Sequence, residues 1–406
     1  MPPASIYEQI HRFANRADPY TLYRELRETP VARQEDGSYV VSTYAEIVAL
    51  LHDPRVSSDR RKLSQPPADE KLPPSFIAID PPEHDRIRRL TMRHFGPPHA
   101  PRTVENLRGE LLTLVTDLID GISDRTRADI VEDVAYPFPV SVICRLLGVP
   151  RKDEPKFHGW AQEIVETIGP GEGDEAERNQ RRQAARMALA QYLGELGRER
   201  RANPGDDILS GLVTYEGPEG KLTEVEVMTT ATLLLIAGHE TTVNLITNGM
   251  LTLLRNPELL DRLRNEPDLV IHTVEELLRF EPPVHFLPQR VALDDIVIGD
   301  VTIPRGSSIV LALASGSRDP RHLCDPDRFD PDRPYIQHLG FGGGIHACFG
   351  APLARLEAQV ALRELANRLV NPRLVADPPP YRPSSILRGP EHLVIEYDRV
   401  LPAADR

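Results

Sequence analysis

Apolar side chains recur at every third or fourth position across the middle of the chain, about residues 81–278, and this spacing predicts a largely helical region. Clusters of glycine and proline interrupt the pattern and predict where individual helices begin and end. The most apolar stretch, 232–254, carries Gly-His-Glu-Thr-Thr at its centre, where a lipid bilayer would strongly disfavour charge. We therefore expect a buried helix of a soluble protein there.

Two other regions carry the short apolar runs of β-strands. After a helix expected around 19–28, two runs flank an Asp-Gly turn at 36–37 and predict a strand pair. Beyond the prolines at 282–283 further short runs follow, and the last strong helix is expected over 352–369. The strands predicted before that helix are 296–298, 301–303 and 308–311.

The elements together predict a mostly α protein with a minor β region. No internal repeat or long linker interrupts the pattern, so we expect a single domain over residues 1–406, with 1–17 as a flexible N-terminal arm. The net charge of -13 argues against nucleic-acid binding, because a phosphate backbone requires a basic surface. Three scattered cysteines do not form a disulfide framework, and the N-terminus lacks a secretory pattern, so a cytoplasmic location is expected.

A glycine-rich segment, 341–350, precedes the last helix and contains Cys348. Its glycines allow positive φ and close backbone approach, and the N-terminus of a following helix stabilises negative charge. This placement predicts a thiolate at Cys348. Two alternatives remain for the residues by themselves: an inert buried cysteine, or a zinc site with His338 and His346.

Here the chain resembles a known family. Phe341, Gly344, Cys348 and Gly350 match the Phe-x-x-Gly-x-x-x-Cys-x-Gly signature of the cytochromes P-450. The resemblance implies the triangular-prism-like fold of this family, one haem b, and Cys348 as the iron ligand. It implies a bacterial haem-thiolate monooxygenase.

Glu276 and Arg279 lie three residues apart and share one face of a predicted helix. They resemble the Glu-x-x-Arg of the family, whose charges join a later arginine in a buried structural cluster. The predicted third member is Arg328, in Pro-Asp-Arg-Phe.

The sequence Ala-Gly-His-Glu-Thr-Thr, 237–242, lies inside the apolar helix and resembles the oxygen-activation segment of the family. A threonine hydroxyl can bond backwards to a carbonyl and bend a helix, and Gly238 is expected to leave room beside the distortion. By the resemblance Thr241 would hydrogen-bond dioxygen, and Glu240 would help to relay protons from solvent.

The two propionates of haem call for cationic or donor side chains at its rim. His84 and Arg88 share a helix face and match the propionate-binding pair of the family, and Arg290 matches the contact to the other propionate. His346 and, ranked lower, His338 resemble further contacts. The other residues expected against the cofactor are Ala237, Phe341, Gly342 and Gly350.

The resemblance also predicts an apolar substrate pocket, suited to hydroxylation or epoxidation of a mid-sized, secondary-metabolite-like molecule. The segment 58–80 is shorter than in most of the family, so a more open entrance is expected. The predicted pocket residues are Leu233, Ile236, Ala237, Phe286, Leu287, Ile386 and Leu387.

No flavin or dinucleotide-binding signature is present, so electrons are expected from NAD(P)H through a reductase and a ferredoxin. The ferredoxin would dock on a proximal basic patch, and the enzyme is expected to be a monomer. A peroxide-driven or oxidative-coupling enzyme, or a haem-binding protein without turnover, are the alternatives. The arginines of the predicted patch are Arg86, Arg89, Arg93, Arg355 and Arg363.

Overall fold

The structure, a computed structural model, describes residues 4–66, 72–95, 104–169 and 174–403. Helices dominate it, as the spacing of apolar residues predicts. The helices are α1 Ile6–His11, α2 Tyr20–Leu26, α3 Tyr44–His52, α4 Glu83–Phe95, α5 Arg108–Asp120, α6 Pro137–Leu146, α7 Glu154–Glu166, α8 Glu175–Ala202, α9 Ile208–Thr214, α10 Glu224–Arg255, α11 Pro257–Asn265, α12 Leu269–Phe280, α13 Leu313–Gly316 and α14 Ala351–Arg368.

The strands form one five-stranded sheet and three smaller ones. The larger sheet has the order β1-β2-β8-β5-β3, and its β2–β8 pair is parallel. The small sheets are β10-β11-β4, β12-β9 and β6-β7. The strands are β1 Val31–Arg33, β2 Tyr39–Val41, β3 Val56–Ser57, β4 Arg127–Asp129, β5 Leu287–Ala292, β6 Ile296–Ile298, β7 Val301–Ile303, β8 Ser308–Leu311, β9 Leu369–Val370, β10 Arg373–Leu374, β11 Val394–Glu396 and β12 Arg399–Val400.

Helix α10 is the central element of the helical core. A capping box starts it: the Thr223 hydroxyl accepts from the Glu226 N–H at 3.2 Å, and the Glu226 carboxylate accepts from the Thr223 N–H at 2.8 Å. Its 32 residues span about 48 Å at 1.5 Å per residue. It packs against α6, α8 and α14, which places the apolar stretch 232–254 in the interior as predicted. No described helix is long and apolar enough to cross a membrane.

The N-terminal segment differs from the flexible arm predicted for 1–17. From Ala4 onward the chain is packed: Ile10 in α1 is fully buried, and the His11 ring bonds the Ser385 hydroxyl at 2.6 Å. The Arg16 guanidinium donates to the Pro383 carbonyl at 3.2 Å. The N-terminus therefore holds the turn near 383–388, a tertiary contact that no local pattern predicts.

Candidate active site

The glycine-rich segment requires glycine at two positions. Gly342 and Gly344 both have φ of +64°. A Cβ on Gly344 would lie 2.0 Å from the backbone oxygen of Leu51, so only glycine fits there. Gly343 is extended and Gly350 has φ of -80°, which corrects the expectation that all four glycines exploit positive φ. Close approach of α3 further restricts Gly344, whereas the positive φ alone calls for glycine at Gly342.

Cys348 lies directly before α14, as predicted. Its side chain is accessible, but surrounding protein displaces enough water that burial raises the pKa of the thiol. The N–H groups of Gly350 and Ala351 and the charges of Arg88 and Arg355 act in the opposite direction. Desolvation is the largest of these opposing effects, so the protein groups by themselves do not lower the pKa of this thiol. A bound metal cation would reverse this, since coordination deprotonates a thiol.

One face of α10 is accessible in the middle of an otherwise buried helix. Between 232 and 242, the residues that are not buried are Leu233, Ile236, Ala237, Gly238 and Thr241, and the next three turns are buried throughout. Spacings of three and four place these residues on one face. The predicted distal residues thus line one stripe.

The acid and the alcohol of this segment face different surroundings. The Thr241 hydroxyl donates backwards to the Ala237 carbonyl at 2.8 Å, as predicted. The Glu240 carboxylate is buried and accepts from the Arg382 guanidinium at 3.2 Å. Gly238 does not leave open room: a Cβ there would lie 3.1 Å from the Ile143 side chain of α6.

Four basic side chains converge near the cysteine. The rings of His84 and His346 lie 4.4 Å apart, and the Arg88 guanidinium donates to the Ala347 carbonyl at 2.7 Å. Burial, then the charges of Arg290, His84 and Arg88, lower the pKa of His346 to about 3, which is consistent with the four predicted rim residues lying near one another.

A β-bulge turns Arg290 toward this cluster. Leu287 pairs with Leu311, whereas Arg290 pairs with Ile309, so β5 holds one extra residue, and Gln289 has φ of +63°. Burial lowers the pKa of Arg290, and nearby Asp80 acts against that shift.

His338, ranked lower in the sequence, has other partners. Its Nε2 lies 3.2 Å from the Glu275 carboxylate, and its Nδ1 accepts from the Gly340 N–H at 3.1 Å. Arg355 donates to the same carboxylate at 2.6 Å. His338 therefore belongs to a proximal ion cluster instead of the haem rim. In the described ranges no three His, Cys, Asp or Glu side chains group as metal ligands, which argues against the zinc alternative.

The buried structural cluster forms, with a different third member. Arg279 and Glu276 are fully buried and joined by two contacts of 2.7 Å. Arg333, not Arg328, completes the cluster, since its Nε donates to Glu276 at 3.2 Å. The Arg328 side chain is 71% exposed and faces Asp330 at 3.6 Å. Only the backbone carbonyl of Arg328 participates, accepting from Arg279 at 3.0 Å.

The two pocket residues predicted in the segment after α12 have different surroundings. A Cβ on Gly342 would lie 3.9 Å from Leu287, so Leu287 is beside the cysteine segment. Phe286 is wrong as a pocket residue: it is buried in the N-terminal core, with its ring 5.8 Å from that of Tyr23. Adjacent residues of an extended chain point to opposite sides, so the two cannot share a pocket.

Two further predicted pocket residues belong to the C-terminal turn. Ile386 and Leu387 are buried in a small apolar cluster with Val165, and Ile386 packs against Gly169 of the segment after α7. The turn that carries them contacts the N-terminal segment on one side, through His11 and Arg16, and α7 on the other, through Val165.

Of the predicted basic patch, three arginines already pair with carboxylates. Arg86 contacts Glu226, Arg89 donates to Glu219 at 2.8 Å, and Arg355 pairs with Glu275. The net positive charge available at these arginines is therefore smaller than predicted.

Sequence reasoning missed three residues around the acid and alcohol. Arg382 and His239 both contact Glu240, with His239 Nε2 at 3.3 Å from the Glu240 Oε1. Glu357 on α14 is fully buried beside Thr242, and burial raises the pKa of its carboxyl well above the usual range. His239 belongs to the 237–242 segment and could have been considered from the sequence. No local pattern indicates Arg382 or Glu357.

The accessible stripe of α10, the exposed cysteine before α14 and the basic cluster define a haem-thiolate site on a mostly α fold. A sequence model of the cytochrome P-450 family matches residues 37–395. The chain belongs to the cytochrome P-450 family, and it is a monooxygenase of that family.

Relatives and solved structures match over almost the whole chain. The 6-deoxyerythronolide B hydroxylase of Saccharopolyspora erythraea is 36% identical, over 94% of this chain and 96% of that protein. PksS of Bacillus subtilis, a polyketide biosynthesis cytochrome P-450, is 34% identical over 94% and 96%. The crystal structure of CYP164A2 from Mycobacterium smegmatis has a TM-score of 0.88 and 41% identity, covering 96% of this chain and 99% of that one.

The family carries haem b, draws on NAD(P)H through redox partners, and acts on small-molecule substrates. The residues of this chain fit haem. His84 Nε2 and both ring nitrogens of His346 are buried and have no hydrogen-bond partner within the described parts of the chain. Buried polar atoms need partners, and carboxylates at a haem rim supply them. The accessible Cys348 would supply the ligand atom.

Proposed function

We propose that this monooxygenase inserts one oxygen atom from O₂ into an apolar or mid-sized, polyketide-like substrate, by hydroxylation or epoxidation. The observation that carries this proposal is the accessible stripe of α10, where Leu233, Ile236 and Ala237 present an apolar surface next to Thr241. An apolar surface binds hydrocarbon and leaves unactivated C–H bonds facing the reactive centre. One relative is named for polyketide biosynthesis and another is named a hydroxylase of 6-deoxyerythronolide B, which supports this substrate class.

Each site residue has a proposed role. Cys348 binds the iron, and His84, Arg88, Arg290 and His346 hold the propionates. Ala237, Phe341, Gly342 and Gly350 pack against the porphyrin. Bound haem supplies the centre at which O₂ and two electrons become one inserted oxygen atom and one water. Thr241 and Glu240 bring the two protons that this water requires.

The redox chain is also part of the proposal. We infer that a ferredoxin donates the electrons, because the sequence holds no flavin or dinucleotide signature. The docking face is proposed near Arg93 and Arg363, since neither appears in the ion pairs that engage Arg86, Arg89 and Arg355. We propose a cytoplasmic monomer with one domain, in agreement with three free cysteines. The prediction of an open entrance concerns 58–80, of which 67–71 lie outside the described residues.

The test begins with substrate binding. A panel of macrolactones, fatty acids and small polar controls is titrated into the protein, and displacement of the axial water is read as a Soret shift. Compounds that bind are then incubated with NADH, surrogate ferredoxin and reductase. We expect oxygenated product from apolar compounds of macrolactone size. Product formation only with peroxide would contradict the proposed electron supply.

The proton role is tested by Thr241→Ala, with Thr252→Ala as its matched control. Thr252 makes the same backward bond, to Asn248 at 2.7 Å, three turns further along α10 in a buried position. We expect Thr241→Ala to lower product per NADH by about tenfold, toward the range that general acid catalysis contributes. Thr252→Ala should keep the parent value. Equal coupling in both variants would refute the role of Thr241.

A further inference from the structure

Three side chains beside the cysteine segment form the proximal ion cluster: Glu275 on α12, His338 before the segment, and Arg355 on α14. The Nε and Nη2 of Arg355 donate to the two carboxylate oxygens of Glu275 at 2.6 and 2.9 Å, as a two-bond fork. The exposed fraction of the side chain is 23% for Glu275, 6% for His338 and 35% for Arg355. The cluster therefore joins three segments of the chain at a partly buried site.

His338 gives the carboxylate of Glu275 a third hydrogen bond. Its Nδ1 accepts from the Gly340 N–H at 3.1 Å, so the ring hydrogen is on Nε2, which lies 3.2 Å from the Glu275 Oε2. Burial acts against ionisation of Glu275, but the bonds from His338 and Arg355 lower the pKa of its carboxyl to about 2. At neutral pH the cluster thus holds one negative charge on Glu275 and one positive charge on Arg355.

The guanidinium of Arg355 lies over the ring of Phe341. Its central carbon is 4.6 Å from the ring centroid, within the range of a cation–π contact. The His338 ring contacts the same ring, with the centroids 5.6 Å apart and the planes inclined by 61°. The backbone of Phe341 is in turn bonded to the cysteine, because its carbonyl accepts from the Cys348 N–H at 3.0 Å. The fork and the ring together fix the position of the positive charge relative to Cys348.

Arg355 and Cys348 are close enough for their charges to interact. Burial raises the pKa of the Cys348 thiol, and the charge of Arg355 is among the effects that lower it. Hydrogen bonding to Glu275 is the main cause that raises the pKa of Arg355, and negative charge on Cys348 adds to it. The unit charge of Arg355 therefore acts on any charge that accumulates at the sulfur or on a metal bound to it.

We propose that the Glu275–Arg355 ion pair sets the reduction potential of the iron that Cys348 binds. This proposal rests on the proposed role of Cys348 as the iron ligand. Arg355 contacts Glu275 and Phe341, and Glu275 acts through Arg355, so both are positioning residues.

The affected step is the transfer of a single electron. A reduced iron–sulfur protein loses one electron and ferric iron becomes ferrous, while no bond forms or breaks and the cluster keeps its protons. One unit of negative charge is thereby added near the cluster, so the charge of Arg355 favours reduction and the charge of Glu275 opposes it. Because the two charges have opposite signs, the intact pair largely cancels at the iron, and removal of either charge exposes the effect of the other. Partial burial reduces the screening of this effect by salt.

The test is a redox titration of the holoenzyme with dithionite and small dye mediators, followed at the Soret band. Excess imidazole is present, so that the iron has the same axial ligands in every variant. We expect Arg355→Met to make the iron harder to reduce and Glu275→Gln to make it easier, each by about tenfold in the ferric–ferrous equilibrium, the order expected for one unit charge at a partly buried site. For one electron, a tenfold change is about 59 mV. The double variant should lie near the parent, because neither charge remains.

Two further variants serve as controls. Arg355→Lys keeps the positive charge but loses the planar fork, and its equilibrium should stay within about twofold of the parent. Arg255→Met is the matched control, because Arg255 is similarly exposed at 37% and also pairs with a carboxylate, that of Asp377. Arg255 ends α10, about 21 Å along the helix axis from Thr241, so its replacement should leave the potential unchanged.

Opposite shifts in the two single variants distinguish a charge effect from loss of packing, which would move both in one direction. No protein donor is present, so weaker docking of a partner cannot imitate the shift. If Arg355→Met does not hold haem, the test remains: Glu275→Gln must raise the potential and Arg355→Lys must not change it. Shifts of the same sign, or no shift, would overturn the proposal.

The reduced carbon monoxide spectrum tests the underlying assignment separately. If the parent enzyme lacks the Soret band of a thiolate-bound haem, the proposed role of Cys348 fails. If the band is present but the potentials of Glu275→Gln and Arg355→Met do not diverge, only the present proposal fails.

Discussion

Replacing Arg333 by alanine, compared with the same change at Arg328, tests the placement of the buried cluster. Arg333 is 9% exposed and donates to Glu276, which is fully buried. It also donates to the carbonyls of Cys324 at 2.8 Å and Asp325 at 2.6 Å. Arg328 is 71% exposed and faces Asp330 at 3.6 Å, beyond hydrogen-bond range.

The expected magnitudes follow from these contacts. Breaking a buried ion pair costs about 3–5 kcal/mol, and Glu276 keeps Arg279, so we expect about 3 kcal/mol for Arg333→Ala. With an unfolding entropy of about 2.1 cal/mol/K per residue, this lowers the melting midpoint of the 406-residue chain by about 4 °C. Arg328→Ala keeps its backbone carbonyl and should change stability by less than about 0.5 kcal/mol, as surface substitutions usually do.

The assay is thermal unfolding of both holoenzymes, followed by circular dichroism and by the Soret band. Arg333→Lys serves as an intermediate, since it keeps the charge but loses the planar fork that reaches three carbonyls. An Arg328→Ala midpoint as low as that of Arg333→Ala would refute the assignment, because an exposed side chain without a bonded partner cannot carry that free energy.

Two further predictions concern the cysteine segment and α14. Gly344→Ala should destabilise the protein by more than about 2 kcal/mol, because positive φ and the Leu51 oxygen at 2.0 Å both exclude a Cβ. Gly350→Ala, at the N-cap of α14 with φ of -80°, should cost about 1 kcal/mol, and a melting midpoint equal to that of Gly344→Ala would contradict this. For Glu357, burial raises the pKa, so its stability contribution is complete below about pH 4.3 and is lost as pH rises. Relative to Glu357→Gln, the wild-type melting midpoint should fall from about pH 5 to about pH 8; parallel curves would contradict it.

The strands after 282 and the helix of the cysteine segment could be predicted because their signals are local. Runs at 296–298, 301–303 and 308–311 became β6, β7 and β8 with the same bounds. The last helix, expected over 352–369, became α14 Ala351–Arg368. Apolar periodicity indicates which side of an element is buried. This signal is the same whichever part of the core the element packs against.

The choice between Arg328 and Arg333 could not be made locally. The sequence contains Asp-Pro-Asp-Arg twice, ending at each of these residues, so both carry the same local signal. Only the path of the chain past α12 decides which guanidinium reaches Glu276. The same limit applies to Phe286 and Leu287. Their side chains point to opposite sides of an extended chain, and the local sequence does not indicate which side faces the N-terminal core.

Residue types and spacing by themselves determined the family and predicted the cysteine ligand, the acid–alcohol pair and the rim residues, because each belongs to a short motif with its own chemistry. The tertiary structure decided what surrounds them. Arg382 reaches Glu240 across 142 residues, and the N-terminal helix clamps the turn of Ser385. Burial raises the pKa of the thiol against its helix N-terminus. Desolvation and charge pairing depend on distant segments meeting in space, and no local pattern contains that information.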